Sequence, residues 1–492
     1  MVEGGGVPVA MSLLLGIDEG TSAVKAVLFD AELEPLREAR REKALHHPRP
    51  GWVEQEPEDV VRAVVEAVAE VLSDAPGEVV ACGLVHQGES VLAWDAATGE
   101  ALTRIVTWQD KRSQEVLDRL ARNGLAGRVR ELTGLPLDPY FSAGKLAWLL
   151  EHDEAVARAR EAGTLRMGTV DSFLCDRLGA GFCTDPATAS RTQLGAPEWD
   201  ARLLEIFGVP GDVLPGIADT AGDLGTLRHG SWPGELPLRS RCPDQQAALA
   251  GAGCVQPGET KATYGTGVFV LAHAGAGRPA DTGRLLPTIA WRIGGAVEWA
   301  LDGGVFTAGA LLEWMSRDLG LAPDPGALAG MAADVDDAGG VRVLPALAGL
   351  GAPWWRPAAR AVVAGLTATA TPAHIARATL EAIAWRVADI VEVIATHAPV
   401  EVLRVDGGLT RDPLLLQLQA DRAGTPVERG AVDATATGAA ALAAVGAGLW
   451  PGTAAIAERV PSGERFEPAR DAAWRTSARA EWRRFAERAA EL

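Results

Sequence analysis

Short apolar runs alternate with stretches of helical periodicity along most of the chain. Leu13, Leu14, Leu15 and Ile17, then Val24, Ala26, Val27, Leu28 and Phe29, predict two buried strands. Asp18, Glu19, Gly20, Thr21 and Ser22 separate them, so a hairpin carries two carboxylates and a small polar turn at its bend. DVVRAVVEAVAEVLSD (59–74) then sets Val60, Val61, Val64, Val65, Val68, Val71 and Leu72 on one face of a helix. EVVACGLVHQ (78–87) is a strand, and VLAWDAATGEAL (91–102) a hairpin turning near Gly99. RIVTWQD (104–110) is a short strand leading into a helix over 111–122.

The second half repeats the opening. KATYGTGVFVLAH (261–273) is again two β-prone runs meeting at a Gly-Thr-Gly turn, and PDQQAALAGAG (243–253) reads as a helix passing from one half to the other. Thr371 as N-cap and Pro372 at the first helical position open a helix at 371–397. EVLRVDGGLTRDPLLLQLQ (401–419) is a strand ending in Asp406-Gly407-Gly408, with a helix starting at Asp412-Pro413. This alternation predicts the α/β class. The repeated hairpin predicts two related halves, 11–248 and 249–460, followed by a helical tail, 461–492.

Composition narrows the function without naming it. A length of 492 residues suits two domains rather than one core. A net charge of −19 disfavours nucleic acid and anionic membrane surfaces as partners. The five cysteines form no CxxC pair, and the eight histidines show no zinc spacing. With no signal-peptide pattern in MVEGGGVPVA and no membrane-spanning apolar run, a cytoplasmic protein is expected.

A tight turn of Gly, Thr and Ser aims backbone N–H groups and hydroxyls at one point, which suits phosphate. A carboxylate at such a turn repels phosphate directly but can hold Mg²⁺ that bridges to it. Asp18, Thr21 and Ser22 fit that scheme, with Lys25 as an added cation. Neither GxxxxGK[ST], nor GxGxxG after a first strand, nor GxSxG is present, which excludes P-loop, dinucleotide and simple serine-hydrolase readings.

YFSAGKLAWLLEH (140–152) and AVVAGLTATATPAHIARATLE (361–381) resemble the two signatures of the FGGY carbohydrate kinases, of the actin-like ATPase and sugar kinase superfamily. GWVEQEPEDV, DPYFSAGK, TDPATASRT, DQQAAL, TYGTGVF and LRVDGG are similar to the members that phosphorylate glycerol. The resemblance runs from about residue 13 to about 450. It implies two ribonuclease-H-like domains flanking a deep cleft that closes over ATP, Mg²⁺ and a small polyol or sugar. By the same resemblance Asp244 is the catalytic base and Asp18 the metal-associated carboxylate. Thr21, Ser22, Lys25, Thr266, Gly309, Gly408 and Asp412 match nucleotide contacts. Gly88, Glu89, Trp108, Tyr140, Asp244, Gln245 and Phe269 match the polyol site.

One departure bears on substrate. The glycerol-phosphorylating members have Gln-Arg-Glu where this chain has Gln87-Gly88-Glu89, so an arginine is missing. Lys111 or Arg112 is a candidate to fill the gap, and a longer polyol or a ketose is the alternative substrate. Glu19 stands where those members commonly have Gln, Lys25 where they have Arg, and Asp412 where they have Asn. A non-catalytic ligand sensor is a further reading, and association into a homo-oligomer is left open.

Overall fold

The computed structural model describes residues 11–430 and 433–492; the segment MVEGGGVPVA lies outside them. Two compact units emerge. The first holds the chain up to Gly253 together with 288–298 and 435–460, and the second holds 254–287, 299–434 and 461–492.

In the first unit β1 (Met11–Glu19), β2 (Ala23–Phe29), β3 (Pro35–Glu42), β4 (Gly77–His86), β5 (Thr226–Leu227) and β6 (Leu236–Pro243) form one sheet in the order β5-β6-β4-β1-β2-β3. β1, β4 and β6 are parallel, while β1-β2-β3 is an antiparallel meander. Strands in such a parallel centre are covered on both faces, which is why 13–17 is apolar without alternation. Leu13, Leu15 and Ile17 pack with Val60, Val64 and Val68 of the helix Pro57–Leu72. Gly16, on the other side of the pleat, lies against the backbone of Ala436, where a Cβ would have no room.

That second contact explains a difference from the expected division at residue 248. Nine of the thirteen residues of the helix Ala434–Gly446 are Ala or Gly. Its backbone sits directly on Gly16 and Gly83, and its Gly438 sits on Ala247. Close backbone approach of this kind needs glycine, and it groups 435–460 with the first unit although the sequence places it in the second half.

The second unit is built on a sheet of β7 (Thr260–Tyr264), β8 (Val268–Gly275), β9 (Leu286–Ile293), β10 (Ala296–Val305), β11 (Leu403–Asp406), β12 (Val427–Arg429) and β13 (Arg465–Phe466), in the order β9-β10-β8-β7-β11-β12-β13, of which only the stretch 288–298 of β9 and β10 is counted with the first unit. β7-β8 is an antiparallel hairpin, and β7, β11 and β12 run parallel. This repeats the layout of β1-β2 with β4 and β6, so both units have the α/β, ribonuclease-H-like arrangement expected. The helices Pro372–Ala395, Pro413–Ala423 and Ala472–Ala489 supply Ile383, Val387, Ile390, Leu415, Leu416 and Trp482 to its core. Thr371 is the N-cap and Pro372 follows it, as the Thr-Pro start signal predicts, and Thr371 also closes a capping box with His374. Among the described residues no helix is long and apolar enough to cross a membrane.

Candidate active site

Parallel strands place several candidate residues together. β1, β4 and β6 end in register, with Glu19 beside His86 and His86 beside Pro243. Asp18, the segment Gln87-Gly88-Glu89 and Asp244-Gln245 therefore all emerge at one carboxyl edge, where open α/β sheets bind ligands. Asp18 is half-buried and faces Lys25 across the β1-β2 ladder; Lys25 Nζ reaches Glu38 at 2.9 Å. Asp244 opens the helix Asp244–Gly251, and its Oδ1 accepts the Gln245 N–H at 2.7 Å. Gln245 is half-buried, whereas Gln246 turns inward to Thr288.

A chain of contacts links the first turn to the acid at Glu89. The Trp108 indole donates to Thr21 Oγ1 at 2.9 Å, and its ring meets Tyr140 edge-on with centroids 5.7 Å apart. Arg191 stands 5.5 Å over the Tyr140 ring, and its Nε donates to Glu89 Oε1 at 2.7 Å. Both charged side chains of this pair are 6% exposed. Ser22, by contrast, is exposed at the tip of the turn.

The cation on Glu89 is thus Arg191, not Lys111 or Arg112. Arg112 is held by Asp110 and Glu54 and lies 3.8 Å from the centre of the Trp52 ring; Lys111 is exposed. Arg191 is placed by its neighbours in TDPATASRT. Asp185 caps the helix Pro186–Ser190 by accepting from Ala187 and Thr188 N–H, and Thr192 O accepts from Ala143 N–H at 2.8 Å. Arg191 is therefore pinned on both sides. Arg191 is visible within TDPATASRT, but nothing in the sequence assigns it a role, because its partner Glu89 lies 102 positions away.

Lys145 supports the same corner from behind. Its Nζ donates to Tyr140 O at 2.6 Å and to Phe141 O at 3.1 Å, and full burial pulls its ammonium down to about 7. The unfolded chain then holds the extra proton between about pH 7 and 10, so this group makes stability rise with pH through that window. Relative to Lys145→Met, the unmutated protein is expected to gain about 2 kcal/mol between pH 7 and 9 in urea unfolding. A difference that stays constant with pH would refute the shift.

Beneath the turn runs a buried polar network. Lys43 Nζ pairs with Glu19, both side chains being almost fully buried. Gln87 Nε2 donates to Glu19 Oε1 at 3.0 Å and to Gln55 Oε1 at 2.8 Å, and Gln55 donates to Thr21 O at 2.8 Å. Glu19 thus has the cation that a buried carboxylate requires.

In the second unit the Gly265-Thr266-Gly267 turn lies against two other backbone segments. Ala308 and Ala310 N–H donate to Thr266 O, and Gly309 N–H donates to Gly265 O at 3.1 Å. A side chain at Gly309 would collide with Gly265 O, and one at Gly407, where φ is +96°, would collide with Tyr264. Thr266, Gly309 and the Gly407-Gly408 turn are therefore brought together, with Thr266 and Gly408 exposed. Asp412 is spent partly on structure: its Oδ1 caps the helix Pro413–Ala423 through Leu414 N–H at 2.9 Å, and burial pushes its carboxyl up. Phe269 lies on β8 between Thr263 and Gly304.

Comparison with known proteins identifies the family. The model for the FGGY family of carbohydrate kinases, N-terminal domain, matches residues 13–251, and the C-terminal domain model matches 260–447. The chain is 43% identical over 470 residues to the glycerol kinase of Geobacter sp. strain M21, covering 93% of this chain and 94% of that one. It is 44% identical over 471 residues to that of Citrifermentans bemidjiense, with the same coverage. The crystal structure of Plasmodium falciparum glycerol kinase with ADP aligns with a TM-score of 0.90 at 30% identity, over 97% of this chain and 98% of that one. With both domain models matched and these identities sustained over nearly its whole length, the chain belongs to the FGGY family of carbohydrate kinases.

Proposed function

We propose that the protein phosphorylates glycerol to sn-glycerol 3-phosphate with ATP. The observation that carries this reading is the convergence of Asp244 with the Glu89–Arg191 pair and the Trp108–Tyr140 rings around one strand edge, in a chain more than two-fifths identical to glycerol kinases. Glu89 and Gln245 take the hydroxyls, while the Trp108 and Tyr140 rings face the carbon skeleton. Asp244 accepts the proton of the attacking hydroxyl as its oxygen bonds to the γ-phosphorus and the bond to ADP breaks.

The hydroxyls and N–H groups of Thr21 and Ser22 serve phosphate, with Lys25 adding positive charge, and Thr266 offers the same groups on the second unit's turn. Gly309, Gly408 and Asp412 line the nucleotide's place. Asp18, half-buried on the same turn as two hydroxyl oxygens, offers the hard oxygen donors that Mg²⁺ prefers. No group of three or more acidic, His or Cys side chains able to hold a metal occurs among the described residues. Mg²⁺ generally keeps several waters and is bound through one or two carboxylates together with substrate phosphates. When bound, Mg²⁺ neutralises phosphate charge. Cys82, Cys175, Cys183 and Cys242 are thiols, in keeping with the reducing cytoplasm proposed as the protein's location.

A Cβ at Gly88 would meet nothing within 4 Å, which favours a larger polyol or ketose as the second reading. A phosphorylation panel of glycerol, erythritol, xylitol, ribitol, xylulose, ribulose, gluconate and dihydroxyacetone, with ATP and Mg²⁺, separates the two. Glycerol is expected to show the highest kcat/KM; a clear lead for a longer polyol or ketose overturns the glycerol reading.

A further inference from the structure

Gly88 leaves open space beside a carboxylate that already holds a buried guanidinium. Its φ of +72° is a conformation that favours glycine, so this backbone is not one that merely lost a side chain. Glu89 Oε1 receives Arg191 Nε at 2.7 Å, and both side chains are more than nine-tenths buried. The Arg191 guanidinium also lies 5.5 Å from the Tyr140 ring centre, beside the proposed polyol wall. An acceptor and a planar donor held side by side form a pair suited to adjacent hydroxyls: the carboxylate takes hydroxyl hydrogens and the guanidinium donates to hydroxyl oxygens.

We propose that Arg191 is a specificity-determining residue of the polyol site, donating from across the pocket to a substrate hydroxyl that does not react. This rests on the polyol-kinase reading above. Other cations of this corner are committed elsewhere: Arg112 to Asp110, Glu54 and the Trp52 ring, Lys145 to the carbonyls of Tyr140 and Phe141. Discrimination by a pocket built to hydrogen-bond a hydroxyl is strong, because the analogue that lacks it leaves buried polar groups without partners.

The test crosses protein variants with deoxy substrates. kcat/KM is measured for glycerol, propane-1,2-diol and propane-1,3-diol with the unmutated protein, Arg191→Gln and Arg191→Lys. Arg191→Gln is expected to shrink the preference for glycerol over at least one diol by about tenfold or more. Arg191→Lys, which keeps the charge and loses the planar fork, is expected to fall between. Binding of an ATP analogue to each variant, by calorimetry, should stay within about twofold of the unmutated value. If both preferences in both variants stay within about twofold of the unmutated protein, Arg191 only buttresses the fold and the proposal is overturned, since a structural loss lowers all three substrates alike. Failure of the unmutated protein to turn over glycerol would instead fail the function reading. The same cycle, run on the best substrate of the panel and its deoxy analogues, then decides Arg191 by the same two outcomes.

Discussion

Asp244→Asn is expected to lower kcat for the best polyol by about a thousandfold while leaving ATP and polyol binding within about threefold. Asparagine matches the volume of aspartate, and its side-chain oxygen can still accept the Gln245 N–H that Asp244 holds at 2.7 Å. The helix that starts there should form as before. What is lost is the carboxylate proposed to take the proton of the attacking hydroxyl. Because phosphoryl transfer draws most of its acceleration from positioning and electrostatics, turnover should fall far without vanishing. Release of ADP followed in a coupled assay gives kcat, and calorimetry with polyol and with a non-hydrolysable ATP analogue gives the two affinities. A variant that keeps more than about a tenth of its turnover would remove Asp244 from the role of base. A protein that only senses ligand would show no turnover to lose.

The parts of this site that were legible in the sequence are those built from local pattern. Both hairpins announce themselves as paired apolar runs around a Gly-Thr turn, and the structure finds them at Met11–Glu19 with Ala23–Phe29 and at Thr260–Tyr264 with Val268–Gly275. The strand-to-helix turn at Gly407-Gly408 was equally visible, because a positive-φ glycine and the Asp-Pro helix start both leave composition signals. Contacts between distant segments left no such mark. The expected helix over 111–122 begins only at Gln114, since Asp110 draws both the N–H and the guanidinium of Arg112 into a turn. Packing of 435–460 on the first unit depends on backbone meeting backbone at Gly16, Gly83 and Gly438, and the small residues that permit it also suit any helix. The Arg191–Glu89 and Lys43–Glu19 pairs join strand ends to remote loops, and no periodicity links their partners.

Lys43→Met is expected to destabilise the protein by about 3–5 kcal/mol, because it leaves the fully buried Glu19 carboxylate without its counter-charge. The Glu19 side chain is fully buried and that of Lys43 is 1% exposed, so neither charge can reach solvent by a rotamer change. Glu19→Gln alone is expected to be costly for the mirror reason, since it leaves the ammonium buried without its counter-charge. The double variant Glu19→Gln/Lys43→Met removes both charges and retains an amide oxygen to accept from Gln87, which now donates to Glu19 at 3.0 Å. It should recover most of the loss, giving a coupling energy of at least about 2 kcal/mol in a double-mutant cycle. Function should follow the same order. Gln87 also donates to Gln55, and Gln55 to the carbonyl of Thr21, so a displaced Glu19 pulls on the Gly20-Thr21-Ser22 turn and on the strand end carrying Glu89 together. Each single variant should therefore raise KM for ATP and for polyol in parallel, and the double variant should lower both toward the unmutated values. Denaturant unfolding and steady-state kinetics on the four proteins check this. Strictly additive losses would mean that the pair is not coupled, and that Gln55 alone keeps Gln87 and the Gly20-Thr21-Ser22 turn in place.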